Sequence, residues 1–187
     1  MPISLSLGLL LLRLAVGLTI AAHGAQKLFG WFGGSGFRGT VNMQEKMGFK
    51  PSVLWASLAI LGEVGGGLSL AFGFLTPLGA AGIFGAMFIA VIKGHLKNGF
   101  WNSKRGFEYP LQLLAAAVAL GLIGPGSFSL DALFGIVLPT PQLFIIMALA
   151  ALLVDIIGLL ISRPATPAAA PTSMPVTTSG EVRSTAS

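Results

Sequence analysis

Cysteine is absent from the sequence, which removes disulfides, thiol nucleophiles, iron–sulfur ligation and thiolate zinc sites from anything this chain does. Charge is nearly as scarce. Six acidic and eleven basic residues make up 9% of the 187, against 54% hydrophobic residues and a mean hydropathy of +0.87, outside the range of soluble globular chains. The net charge of +5 does not point to nucleic acid, because the basic residues fall mostly in loops between apolar runs, where they act as a topology signal. With two histidines and no local ligand spacing, no metal set is read from the chain. No Lys or Arg precedes the first apolar run and Arg13 interrupts it, so the N-terminus does not read as a secretory signal. There is no strand–glycine-loop–helix context for a phosphate and no nucleophile–base–acid set, so no self-contained catalytic machinery is expected.

What is present is a series of apolar runs long enough to span a bilayer, at about 3–24, 53–73, 77–95 and 109–124, with a fifth, about Pro141 to Ile161, inside the segment 136–162. The chain is therefore an all-α integral membrane protein, and its constant partner is the lipid bilayer. The link between the second and third spans is very short, with Thr76 placed as an N-cap and Pro77 in the first helical turn, so these spans form an antiparallel hairpin. A polar segment with Glu45, Lys46 and Lys50 fits a surface helix, and in GPGSFSLD either Ser129 or Asp131 caps a short one. Residues 163–187, rich in Ala, Pro, Ser and Thr, are expected to be disordered. Lys27, Arg38, Lys46 and Lys50 follow the first span, and Lys93, Lys97, Lys104 and Arg105 follow the third, while the opposite loops carry no Lys or Arg. The positive-inside rule then puts the N-terminus outside and the tail in the cytoplasm.

Three charges lie within spans. A central carboxylate costs roughly 2.5–3.5 kcal/mol in a bilayer, so Glu63 is expected to face protein or water, with a partner. Its face carries Ala59, Ile60, Gly66 and Gly67, and Gly62 and Gly66 form a small-xxx-small pair for close packing. Arg13, in the first span, and Glu63 each fall about ten residues from the basic-side end of their span, about 15 Å deep, and are expected to meet. Such a pair serves packing, or leaves Glu63 to relay a proton or touch a bound ligand. Asp155, in the fifth span, has Ala148, Ala151, Leu152, Gly158 and Leu159 on its side, a mixed face that packs inward without an identifiable partner.

A second cluster gathers near the basic side: His23 and Lys27 one turn apart, His95 at the end of the third span, and Glu108 and Gln112 at the start of the fourth. An imidazole hydrogen-bonds a quinone carbonyl well and a carboxylate accepts the proton of an oxidised quinol. Phe29, Trp31, Phe100, Trp101 and Tyr109 are placed to flank a planar ring, or equally to anchor the chain at the interface.

The runs RLAVGLTIAAHGAQKLFGWFGGSG, GEVGGGLSLAFGFLTPLGA, HLKNGF, GFEYPL and GPGSFSLD, in that order over roughly Leu9 to Leu133, resemble the DoxX family of small bacterial membrane proteins. The resemblance implies a DoxX-like four-helix transmembrane bundle over residues 1–135 in the bacterial inner membrane, to which the fifth span and the tail are additions. Relatives of this family include a small subunit of thiosulfate:quinone oxidoreductase. The resemblance thus implies a membrane subunit of an oxidoreductase system that interacts with quinone and a soluble redox enzyme on the cytoplasmic face. The alternative is a non-catalytic assembly factor or a carrier of small apolar molecules; self-association into a homo-oligomer is left open.

Overall fold

The computed structural model describes residues 2–163; the expectation of a disordered tail falls almost entirely outside them. Five apolar helices run back and forth. They are α1 (Ile3–Phe29), α3 (Ser52–Phe72), α4 (Thr76–Asn98), α5 (Glu108–Ile123) and α7 (Gln142–Ile161); between them lie the short α2 (Gly36–Lys46) and α6 (Leu130–Leu133). Four of the five are long and apolar enough to cross a membrane; α5, at 16 residues or about 24 Å, is the shorter one. The chain is an all-α integral membrane protein.

Packing is ordered by small residues. Helices α3 and α4 form the hairpin expected from the short link, with Gly62 against the Gly82 carbonyl and Gly66 against that of Gly79. A Cβ at either Gly62 or Gly66 would sit 2.7 Å from the opposing oxygen. One step round α3, Gly67 abuts Gly17 and Ala21 of α1, so adjacent glycine stripes serve two different neighbours. The outer face of α4 receives both α5 and α7. A core of Ile20, Leu70, Ile83, Leu113 and Leu120 fills the space between α1 and α5, while Leu149, Leu153 and Leu160 on α7 face outward, as lipid-facing side chains should.

Two local features differ from the expectations. Helix α1 continues to Phe29, five residues past Gly24, and ends at Gly30 in the left-handed conformation. The N-terminus of α4 is not capped by Thr76: Leu75 holds the cap position, and Asp131 supplies the acceptors, taking the backbone N–H of Leu75 at 2.8 Å and of Thr76 at 3.3 Å, and the Thr76 hydroxyl at 3.4 Å. Ser129 does cap α6, accepting from the Ala132 amide. The GPGSFSLD loop therefore folds back as a lid over the hairpin turn, and its acid serves a helix 55 residues upstream.

The expected α2 surface helix forms, but its buried Thr40 donates to the Lys27 carbonyl, so it is tied to the end of α1. The end of α7 is tied to the same level: the Arg163 amide donates to the Gly48 carbonyl and Lys93 donates to Ser162. All the lysine-bearing connections thus lie at one end of the bundle.

Candidate functional site

Glu63 sits in a π-helical turn, Leu61–Gly65, inside α3. The wider turn changes the angular phase of the helix. Glu63 thereby turns toward α1 while Gly62 and Gly66 stay against α4. Its carboxylate is 2% exposed and forms an ion pair with Lys27, whose side chain is 26% exposed. The expected Arg13–Glu63 pair does not form. Because α1 extends to Phe29, Gly24 is the residue level with Glu63 and Val64, whereas Arg13 lies three helical turns away and abuts Gly73 at the other end of α3. There the fully buried Arg13 donates to the Phe128 carbonyl, with Asp131 as the opposite charge acting on it. Arg13 anchors the far loop and takes no part in the chemistry near Glu63.

The remaining sequence candidates separate just as clearly. Gln26 gives its amide N–H to the Phe32 carbonyl at 3.3 Å and so turns its oxygen to His23 Nδ1 at 3.1 Å; His23 Nε2 then accepts from the Tyr109 hydroxyl at 3.2 Å. Both ring nitrogens are used, and His23 is a tie between α1 and α5. Glu108 accepts the Asn102 amide at 2.9 Å and holds the basic loop before α5. His95 differs: its Nδ1 faces the Arg105 carbonyl at 2.8 Å, which makes that nitrogen the N–H donor and leaves the Nε2 lone pair free. A second π-helical turn, Ala90–His95, ends on this residue. Of the two readings of the aromatics, interfacial anchoring suits their placement: Phe29 stacks on Trp31, Phe100 packs edge-on against Trp101 and Phe107, and none of them is in the lining of the main cavity.

Lys27 and His95 meet around a cavity of about 630 Å³, within the range that takes a drug-sized ligand. It opens between α3, α4 and α7. Its wall is the outer side of the glycine packing, including Gly62, Gly66, Gly79, Gly82 and Gly85, with Leu58, Leu78 and Ile89. Three residues that the sequence reading gave no ligand role complete it: Gln44 of α2, Trp55 of α3 and Asp155 of α7. Asp155 was visible as a charge on a small-residue face, but Gln44 and Trp55 carried no sequence signal, since only the docking of α2 and α7 brings them to the cavity. Among the described residues no three of His, Asp and Glu come together to hold a metal ion.

The DoxX family model matches residues 8–96. Two Escherichia coli (strain K12) proteins are similar along most of their length. Inner membrane protein YqjF is 33% identical over 104 residues, covering 56% of this chain and 78% of its own. Inner membrane protein YphA is 30% identical over 132 residues, covering 66% of this chain and 87% of its own. No solved structure gives a significant match. The ordered motifs, the glycine-packed helical bundle and these two relatives agree, and the chain belongs to the DoxX family of integral membrane proteins.

Proposed function

We propose that this protein is a quinone-interacting membrane subunit of an oxidoreductase system, in which the α3–α4–α7 cavity lodges the quinone ring and the basic end of the bundle docks a soluble redox enzyme. The observation that carries the reading is the cavity itself: a largely apolar chamber of about 630 Å³, with Lys27 and His95 in its lining beside a run of glycines that let a flat ring approach the backbone. The free Nε2 of His95 suits a group that binds a proton from water and passes it to the quinone oxygen as the quinone is reduced, and Lys27, steered by Glu63, suits a donor to a quinone carbonyl. Electrons come from the partner enzyme and leave on the quinone, so this chain supplies binding, orientation and proton handling.

The docking face consists of the connections bearing Lys46, Lys50, Lys97, Lys104 and Arg105, which the positive-inside rule places in the cytoplasm of a cell whose inner membrane holds the bundle. The N-terminus is then external. A basic surface of this kind favours an acidic partner and speeds its encounter at low ionic strength.

The test is purification of the wild type and a His95→Phe variant in mild detergent, followed by extraction and mass analysis of bound small molecules. Quinone retained by the wild type and lost by the variant is the expected result. A cavity that retains other apolar molecules and no quinone would move the assignment to a carrier of small apolar molecules. An empty cavity in both would favour an assembly role.

A further inference from the structure

Three buried polar groups without hydrogen-bond partners belong to residues that line the cavity. Asp155 is 7% exposed, Trp55 8% and Gln44 4%, and the Asp155 Oδ2, Trp55 Nε1 and Gln44 Oε1 atoms have no partner among the described residues. Orphaned polar atoms of this kind are uncommon, because each costs what a lost hydrogen bond costs. Here they come from three different helices and all three residues line the same chamber.

Their placement is built rather than accidental. Asp155 and Ala151 pack on Gly85 of α4, where the carboxylate oxygen lies 3.3 Å from the position a Cβ would take. One turn on, Gly158 receives the indole of Trp55, leaving no room for a side chain of its own. The other ionisable groups in the lining are Lys27, committed to Glu63, and His95, whose Nδ1 is committed to the Arg105 carbonyl. Asp155 therefore has no countercharge, and a ligand bearing a carboxylate or phosphate would place like charges together. The cluster offers two acceptors, from Asp155 and Gln44, and one donor, from Trp55. A hydroxyl matches it: it donates to the carboxylate while accepting from the indole N–H.

We infer that Asp155, Trp55 and Gln44 form the head-group subsite of the cavity and select an apolar molecule with a hydroxyl on its polar end, either a quinol or a long-chain alcohol, over molecules with acidic heads. This rests on the cavity being a ligand site, as above, and adds which state of the ligand it holds. The subsite depends on α7, which lies outside residues 8–96 matched by the family model.

The experiment titrates the full-length protein in phosphatidylcholine nanodiscs with four probes sharing a ten-carbon chain: decylubiquinol, decylubiquinone, decanol and decanoate. At least one hydroxyl probe should bind about tenfold or more tighter than decanoate. Asp155→Ala should weaken that probe by about tenfold, as expected for a hydrogen bond to a charged group, and Trp55→Phe by about threefold. If Asp155→Ala does not fold, Asp155→Asn, which keeps an acceptor oxygen, should retain the hydroxyl probe within about threefold. Decanol binding that depends on Asp155 with neither quinone form bound would sustain the subsite while removing the quinone assignment. Quinone and quinol binding equally, both indifferent to Asp155, would do the reverse. Decanoate binding as tightly as the hydroxyl probes, or no binding at all, overturns the inference.

Discussion

Lys27 on α1 and Glu63 on α3 are ion-paired at the level where the two helices pack through Gly24 and Val64, with the carboxylate almost sealed and the ammonium one-quarter exposed. The pair is thus asymmetric: the cation reaches the cavity and the acid holds it there. Breaking such a pair from one side leaves a buried charge uncompensated, and that asymmetry sets the first expectation.

Lys27→Met should destabilise the bundle by about 3 kcal/mol, since Glu63 would be left unpaired in a medium that cannot solvate it. Lys27→Met combined with Glu63→Gln should recover most of the loss. Reversible unfolding in detergent, run as a double-mutant cycle, measures the coupling; additive effects of the two substitutions would remove the pair from the account.

Asp131→Ala should cost about 2 kcal/mol, because two backbone amides and a hydroxyl at the start of α4 lose their acceptor together. Arg13→Leu, which frees Phe128, should add little on top of it, both changes undoing the same loop closure. Protection of the Leu75 and Thr76 amides from hydrogen exchange reads the loss locally.

Gly66→Val should be among the most damaging single changes, by about 3 kcal/mol or more, since its Cβ would lie 2.7 Å from the Gly79 carbonyl oxygen and 3.0 Å from Ile83, where only backbone movement can make room. Gly94→Ala meets nothing within 4 Å and should leave the melting temperature unchanged or raise it slightly. Equal effects at the two sites would mean that α3 and α4 are not packed as closely as described.

Tyr109→Phe should cost about 1 kcal/mol, His23→Phe somewhat more because it also loses Gln26, and the double variant about the same as His23→Phe alone, since both remove the one bond between α1 and α5. Quinone retention should be untouched by them. On the proposed reading His95→Phe should show the opposite pattern, weakening decylubiquinol binding at the cost, in stability, of only the exposed hydrogen bond to the Arg105 carbonyl.

Much of the bundle was legible because membrane spans announce themselves locally. Five apolar runs, a very short hairpin link and glycines at helical spacing gave the helices, their antiparallel order and a close-packing face on the second span; the motif order then gave the family. Glu63 could also be recognised as buried and in need of a partner, since a carboxylate near the middle of an apolar span is costly wherever it is left unpaired.

Which partner it takes was not legible. The depth of a residue in a bundle depends on where each helix ends and how neighbours are staggered, and the five extra residues of α1 exchanged Arg13 for Lys27. The same holds for the Asp131 cap on α4 and for the cavity lined by Gln44, Trp55 and Asp155, the last of which lies a hundred residues further along the chain than Trp55. Sequence periodicity states which face of a helix is apolar or small; only tertiary packing states what stands opposite that face. In this protein the sequence alone determined an all-α membrane bundle with costly charges inside it. The stagger and docking of its helices decided that Arg13 ties down the loop at the end of the bundle remote from Glu63, Lys27 pairs with Glu63, and Asp155 is left in the wall of a cavity.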